Sequence, residues 1–420
     1  MKFIHAADIH LDSPLVGLEQ YDGAPIDDIR GASRQALRNL VDYAISDGVS
    51  FVLVAGDLYD GDWKDYNTGL FFAAQMTKLR EAGIKVILIA GNHDAASQIT
   101  RHLRMPDNVK WLSVQKPESV VLEDWGVAVH GQGFPSRAVT DDLSASYPEA
   151  ISSLFNIGLL HTGINGRQGH DLYAPCSMQE LLSRGYDYWA LGHVHKQETL
   201  HENPWILFPG NIQGRHVRET GPKGCTLVTV RDGVILSVEH RDLDVLRWSM
   251  CEVDSSGTLN GEDIVDRVAL ALQQKLASSN GRPLAVRIQL IGYCKAHREV
   301  SANIDRWTNE IRARSTDLSN GSIWIEKVID RTQSRTEPDE IDWEAGAMGD
   351  LLQALQDLDI NEQLLVSIAE EFNDLQRKLP AELRTGGDAI DLQSPHTLHA
   401  TVEDVRQLLT TRILSVSELQ

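Results

Sequence analysis

Five short apolar runs in this chain each end on Asp, Asn or His, and no other feature limits the fold so tightly. Asp8 and His10 follow the first run, Asp57 closes SFVLVAGD, Asn92, His93 and Asp94 close KVILIAGNHD, His161 closes NIGLLH, and His193 with His195 follow DYWAL. Short, mainly apolar runs that stop at Gly, Asp or His read as buried strands. Between the first of them, Leu37, Leu40, Val41, Ala44 and Ile45 recur at helical spacing. Strands alternating with helices predict a layered α/β domain. Ligands in open α/β sheets bind outside the carboxyl ends of strands, so the run ends are expected to converge on one crevice. A single Asp after a strand commonly caps a helix, and a single His commonly packs in a core. Neither explains the joint series DxH, GD, GNHD, H and GHxH.

Two carboxylates (Asp8, Asp57), one amide oxygen (Asn92) and four imidazoles (His10, His161, His193, His195) suffice for two adjacent divalent cations. Mixed nitrogen and oxygen donors suit manganese, iron or zinc better than calcium or magnesium. Asp57, lying between the two sets, is the natural bridging carboxylate. Paired ions sit roughly 3.5–4 Å apart and lower the pKa of a bound water towards about 7. A hydroxide is then available for in-line attack on phosphorus while the cations neutralise the phosphate oxygens.

The chain has 420 residues, enough for two or three domains. Past Leu243 the pattern changes to strand Leu246 to Val253, helix Glu262 to Leu276, strand Leu284 to Ile291, helix Ala302 to Arg314 and strand Ser322 to Ile329. This predicts a small α/β domain over 244–335, after a first domain over 1–243 and before a helical tail over 336–420. The tail holds helical stretches at Leu351 to Leu358, Leu364 to Leu379 and Val402 to Leu414, with a turn at ELRTGGD. Leu351, Leu352, Leu355 and Leu358 make an apolar stripe there. Net charge is −21, which argues against a basic surface that grips nucleic acid by itself, though not against a phosphate substrate. From Thr336 onward 18 acidic residues face 5 basic ones, so most of that charge belongs to the tail.

The four cysteines, Cys176, Cys225, Cys251 and Cys294, stand apart without a CxxC pair, as buried thiols do. No apolar run approaches the roughly 20 residues needed to span a bilayer. The opening MKFIHAADIH breaks any secretory core with an Asp and two His, so a cytoplasmic protein with no membrane partner is expected.

DIH at Asp8 to His10, GDLYD at Gly56 to Asp60, GNHD at Gly91 to Asp94, His161 and GHVH at Gly192 to His195 resemble, in order, the motifs of the calcineurin-like metallophosphoesterases. HAADIHLDSP and FPGNIQGRHVRETGPKG (Phe208 to Gly224) resemble more narrowly the bacterial DNA repair exonucleases of the SbcD and YhaO type. The likeness covers about residues 1–240. It implies a four-layer β-sandwich flanked by helices, with a small α/β cap domain and a helical C-terminal tail. It also implies a manganese-dependent DNA exonuclease, with some endonuclease activity possible in such enzymes, that works beside an SMC-like ABC ATPase of the SbcC/YhaN type.

On the same resemblance, Asp8, His10, Asp57 and His195 hold one ion, and Asp57, Asn92, His161 and His193 the other. His93 is the non-ligand that stabilises the departing oxygen, and Asp94 orients its ring. Many recombination nucleases of this superfamily carry a His three positions after the bridging Asp. Here that position is Asp60, so no role of that His transfers.

Weaker candidates for substrate contact are Arg215 and His216, in the Gly-rich loop, and His130, at the end of WGVAVHGQGF. Tyr188 and Trp189 sit within a strand and read as core. The acidic tail reads either as plain packed helices or, by the resemblance, as the clasp for the ATPase. The acidic balance implies that duplex binding calls on a second copy in a homodimer or on the ATPase. Two other functions fit the sequence: a nucleotide or protein phosphoesterase of the same fold, and a non-enzymatic scaffold for DNA or the ATPase. The first leaves cap and tail without a purpose; the second has no need of a free His93 beside two ions.

Overall fold

The computed structural model describes residues 1–13, 31–60, 66–96, 104–164, 174–333, 346–378 and 391–417. The linker after Gln333 and the ELRTGGD turn lie outside them. Strand β1 (Lys2–Ala6) leads to helix α1 (Ala32–Ser46), β2 (Phe51–Ala55), α2 (Tyr66–Glu81), β3 (Lys85–Ile89) and β4 (Val109–Trp111). Next come β5 (Glu118–Leu122), β6 (Val127–Gly131), β7 (Phe155–His161), α3 (Met178–Ser183), β8 (Tyr188–Gly192), β9 (Glu198–Glu202) and β10 (Trp205–Phe208). The hairpin β11 (Gly224–Arg231) and β12 (Val234–Asp242) follows.

These strands build two six-stranded sheets, in the orders β12-β11-β1-β2-β3-β4 and β5-β6-β7-β8-β10-β9. In the first, β1 to β4 are parallel and the hairpin adds antiparallel to β1. In the second, β6, β7, β8 and β10 are parallel, with β5 and β9 antiparallel at the edges.

Alternate residues of a strand face opposite sides, and here both sides are covered. Phe3, Phe51, Ile87, Val129, Ile157 and Tyr188 meet between the sheets. On the outer face of the first sheet, Leu37, Leu40 and Val41 of α1 and Phe72 and Met76 of α2 cover Ile4, Val52 and Val54. On the outer face of the second, Tyr147 and Leu181 cover Leu160, Trp189 and Leu191. This double burial is why the central strands read as unbroken apolar runs, and it makes the sandwich of two sheets flanked by helices. Full burial of each large apolar side chain contributes roughly 1.5–3 kcal/mol. Tyr188 and Trp189, both 0% exposed, are core, and the Trp189 indole N–H donates to Leu181 O at 3.1 Å.

The chain forms two compact units. The first, Met1–Asp254 with Glu262–Ile291 and Ile304–Arg331, joins the sandwich to a three-stranded sheet in the order β13 (Arg247–Asp254), β14 (Leu284–Tyr293) and β15 (Ile323–Gln333). Helix α4 (Gly261–Ala277) lies between β13 and β14 in the chain. The helix expected over Ala302 to Arg314 is α6 (Ile304–Ser319), and a short α5 (His297–Ala302) precedes it, the two parted where Asn303 leaves helical geometry at φ −148. The second unit, Ser255–Gly261, Gly292–Asn303 and Thr332–Gln420, holds α7 (Gly346–Gln356), α8 (Glu362–Lys378) and α9 (Pro395–Ser417), with α9 packed on both others. Its leucine stripe divides: Leu352 is buried, whereas Leu351 and Leu358 are exposed. Among the described residues no helix is long and apolar enough to cross a membrane.

Candidate metal centre

The parallel strands of both sheets deliver their carboxyl ends to one edge of the sandwich. Asp8 and His10 follow β1, Asp57 follows β2, Asn92 follows β3, His161 ends β7, and His193 and His195 follow β8. The backbone turns sharply at these points: Asp8 (φ 50), His10 (φ 44), Asp57 (φ 52) and His193 (φ 102) all occupy the left-handed region. Such conformations are uncommon outside glycine and cost of order 1–3 kcal/mol each, so surrounding contacts must impose them. Here Asp8 N donates to Gly56 O (3.1 Å) and His10 N to Asp57 O (3.0 Å), lacing the first loop to the second. The glycines of the motifs have the same origin. A Cβ on Gly91 would run into the Asp57 carboxylate, and one on Gly192 into Ala55 O.

The side chains then meet. Asp57 Oδ2 lies 3.8 Å from His10 Nε2 and 3.5 Å from His161 Nε2, one oxygen between two imidazoles from different sheets. On one side His10 Nε2 is 3.2 Å from His195 Nε2, which is 3.9 Å from Asp8 Oδ1. On the other, His161 Nε2 is 2.9 Å from Asn92 Oδ1, and the rings of His161 and His193 meet edge to face at 5.2 Å. The backbone N–H of His193 donates to both Asp8 oxygens at 3.1 and 3.0 Å. Burial, followed by the charge of Asp57, pushes the Asp8 carboxyl well above its usual range, and burial pushes His10 well below its own.

His93 stands beside this cluster, its ring 4.9 Å from that of His10. The expectation that Asp94 orients it is not met. Asp94 accepts from the backbone N–H groups of Leu58 (3.1 Å), Tyr59 (2.8 Å) and Gly91 (3.0 Å), so its carboxylate ties two strand-end loops together. Burial and the neighbouring Asp57 raise its pKa to about 7. The partner of His93 is Asp60, whose Oδ1 is 2.5 Å from His93 Nδ1 and whose Oδ2 accepts from Ser13 Oγ at 2.5 Å. Burial opposes ionisation of Asp60, but His93 and Ser13 outweigh it and hold the carboxyl far below the usual range. Burial lowers His93, and Asp60 reverses this to a net rise. The second Asp of GDLYD was the available signal for this pairing.

Of the weaker candidates, only the Gly-rich loop reaches the cluster. Arg215 puts Nη2 3.3 Å from His195 Nδ1 and Nη1 3.6 Å from Asp60 Oδ2, and its buried Nε has no hydrogen-bond partner among the described residues. His216 turns Nε2 towards Glu219 Oε1 at 3.4 Å. His130 is unavailable to a substrate. It is 0% exposed within β6, stacked on Tyr186, with Nδ1 at 2.7 Å from Ser119 Oγ and Nε2 at 3.1 Å from Asn156 Oδ1. Sequence reading missed Glu219, whose Oε1 lies 2.6 Å from His195 Nδ1. Burial works against its charge, yet His195 and Arg215 hold the carboxyl well below the ordinary range.

The donor set fits divalent cations. His161 Nδ1 is 2.9 Å from Ala55 O; a carbonyl only accepts, so the ring proton sits on Nδ1 and Nε2 turns a lone pair to Asp57. His195 is arranged alike, with Glu219 as acceptor. Lone pairs and two buried carboxylates that face one another lack positive charge at their centre, which two cations would supply.

Comparison with known proteins agrees. Residues 1–197 match the calcineurin-like phosphoesterase family, and residues 248–333 match the middle domain of metallophosphoesterase YhaO. The Bacillus subtilis uncharacterized metallophosphoesterase YhaO is 36% identical over 296 residues, covering 70% of this chain and 72% of that one. The DNA double-strand break repair protein Mre11 of Methanopyrus kandleri is 23% identical over 362 residues, covering 76% and 72%. Its namesake from Sulfurisphaera tokodaii is 25% identical over 310 residues, covering 69% and 73%. The fold of this family binds two divalent cations. The chain therefore belongs to the calcineurin-like metallophosphoesterases, metal-dependent hydrolases of phosphoesters, in the branch that carries the YhaO middle domain.

Proposed function

We propose that the chain is a manganese-dependent DNA exonuclease subunit that acts in DNA repair with an SMC-like ABC ATPase. Asp8, His10, Asp57 and His195 hold one cation, and Asp57, Asn92, His161 and His193 hold the other. The observation that carries this reading is the single Asp57 oxygen within 4 Å of imidazoles from both sheets. When bound, the cations neutralise phosphate oxygens and lower the pKa of a water to roughly 7.

The protein's own groups do the rest. Asp60 keeps the Nδ1 proton of His93, which leaves Nε2 to hold a proton for the departing oxygen. Arg215, braced between Asp60 and Glu219, offers its guanidinium to a phosphate of the strand. The similarity to two proteins named for DNA double-strand break repair supports DNA as the substrate. The middle segment 244–335 is the cap that presents the duplex, and the acidic tail 336–420 is the partner-binding element. With a net charge of −21, duplex binding draws on the ATPase or a second copy of the chain.

The test is hydrolysis with manganese of linear duplex DNA, a small bis-phosphate ester and a phosphoprotein side by side. Cleavage of DNA is expected, faster with the ATPase. Purified protein that cuts only the phosphoprotein or a nucleotide would overturn the nuclease assignment. Deleting residues beyond Glu337 should abolish ATPase association; unchanged association removes the role given to the tail.

A further inference from the structure

We propose that Glu219 is a positioning residue for His195: its carboxylate fixes the Nδ1–H tautomer of that imidazole and so aims the Nε2 lone pair into the metal centre. The inference rests on the reading of His195 as a ligand and extends it to a residue 24 positions away in the chain.

Two groups compete for His195 Nδ1. Glu219 Oε1 is 2.6 Å away and Arg215 Nη2 is 3.3 Å away. A carboxylate can only accept, and a guanidinium can only donate, so the two impose opposite tautomers. Were Arg215 the partner, the ring proton would sit on Nε2 and point at the cations' place. The shorter contact to Glu219 decides for Nδ1–H. His161 reaches the same tautomer through Ala55 O, a backbone group that no substitution removes. His195 relies on a side chain.

That side chain is itself held. Glu219 is 6% exposed, and its Oε2 accepts from Asn211 Nδ2 (2.8 Å) and from Arg215 N (2.7 Å), which closes the loop from Asn211 to Glu219 upon itself. The three-stranded sheet clamps the loop from outside. Trp248 Nε1 donates to Gly214 O (3.0 Å), Gly221 N donates to Trp248 O (3.2 Å), and Gln213 Nε2 donates to Leu246 O (2.7 Å). From the same segment, Lys223 Nζ donates to His195 O at 2.7 Å. One stretch of chain thus holds both the ring and the backbone of His195. Partners of this kind typically contribute 10–100-fold to metal affinity.

The experiment uses the full chain, manganese titration with counting of bound ions, and electron paramagnetic resonance to separate a coupled ion pair from isolated Mn2+. Wild type is expected to bind two ions and to give the coupled signal. Glu219→Ala is expected to weaken one of the two ions by roughly 10–100-fold, leaving isolated Mn2+ at intermediate loading. Glu219→Gln, which keeps an acceptor for Nδ1–H, is expected to recover most of that loss. Metal-free wild type with 15N-labelled histidine, compared with His195→Gln to assign the signal, should show His195 as the Nδ1–H tautomer. An Nε2–H tautomer overturns the proposal even if neither Glu219 variant folds. So does Glu219→Ala binding both ions as wild type does, or Ala and Gln losing both ions alike. Wild type that binds fewer than two ions instead brings down the metal centre itself, and this inference with it.

Discussion

His5 and His130 lie as deep in the sandwich as His161, all three at 0% exposure, yet of the three His161 alone faces the candidate metal centre. His5 accepts from Tyr188 O–H and donates to Leu191 O, both at 3.0 Å. His130 is matched in the same way by Ser119 Oγ and Asn156 Oδ1. Each of these rings meets one donor and one acceptor, so a neutral imidazole is complete. His161 and His195 spend their one proton on an acceptor and turn the other nitrogen towards carboxylate or amide oxygens and further imidazoles. Burial does not separate the two kinds of histidine. The mismatch of lone pairs does, together with left-handed backbone at Asp8, His10, Asp57 and His193.

The largest effect is expected from Asp57→Ala. One oxygen between His10 and His161 means that its loss should remove both cations, and elemental analysis should fall from two ions per chain to none, with turnover at background. A variant that keeps one ion tightly bound would break the sharing on which the contrast depends. His93→Ala comes next. Its ring lies beside the cluster and pairs with Asp60, so both ions should remain while turnover drops by roughly 10²–10⁴-fold. Asp60→Asn should shift turnover in the same direction by less, and loss of metal in either variant would move His93 into the ligand set.

The positions that the fold gathers into the cluster were legible because each closes or follows a doubly buried strand, where an apolar run stops at polar side chains. Partner choice was not. Asp94 adjoins His93 in sequence, but successive residues in a tight turn point apart, and the carboxylate that reaches Nδ1 comes from Asp60 on another loop. Glu219 was invisible for the same reason, since only the folded loop brings it to His195. His130 misled because a strand-end His facing a crevice and one facing Asn156 have the same local sequence. The six-stranded sheets were legible only in their centres: edge strands such as β9 and β12 are half exposed and carry mixed patterns.

Acid should expose the satisfied class directly. Burial holds His5 down at about 3, against an ordinary value near 6.5. A depressed folded-state value means that the unfolded chain binds the proton first. The stability contribution is therefore complete above about pH 6.5 and is lost as pH falls from there towards 3. At pH 4.5 the cost is about 2–3 kcal/mol. His5→Gln removes the titrating ring, so urea unfolding of metal-free protein should show a flatter acid slope than wild type between those limits. Parallel slopes would mean that His5 is already charged in the folded state.

The smallest effect belongs to His130→Phe. Phenylalanine keeps the stacking on Tyr186, where the rings lie 4.7 Å apart, and loses both hydrogen bonds. Asn156 Oδ1 stays satisfied, because Ile151 N also donates to it at 2.8 Å, so only Ser119 Oγ is left to find water. A loss of about 1 kcal/mol in urea unfolding follows, with two manganese ions still bound at wild-type affinity. Altered metal binding in this variant would mean that a fully matched imidazole still communicates with the cluster, and the matching of donors to acceptors would no longer separate ligands from core.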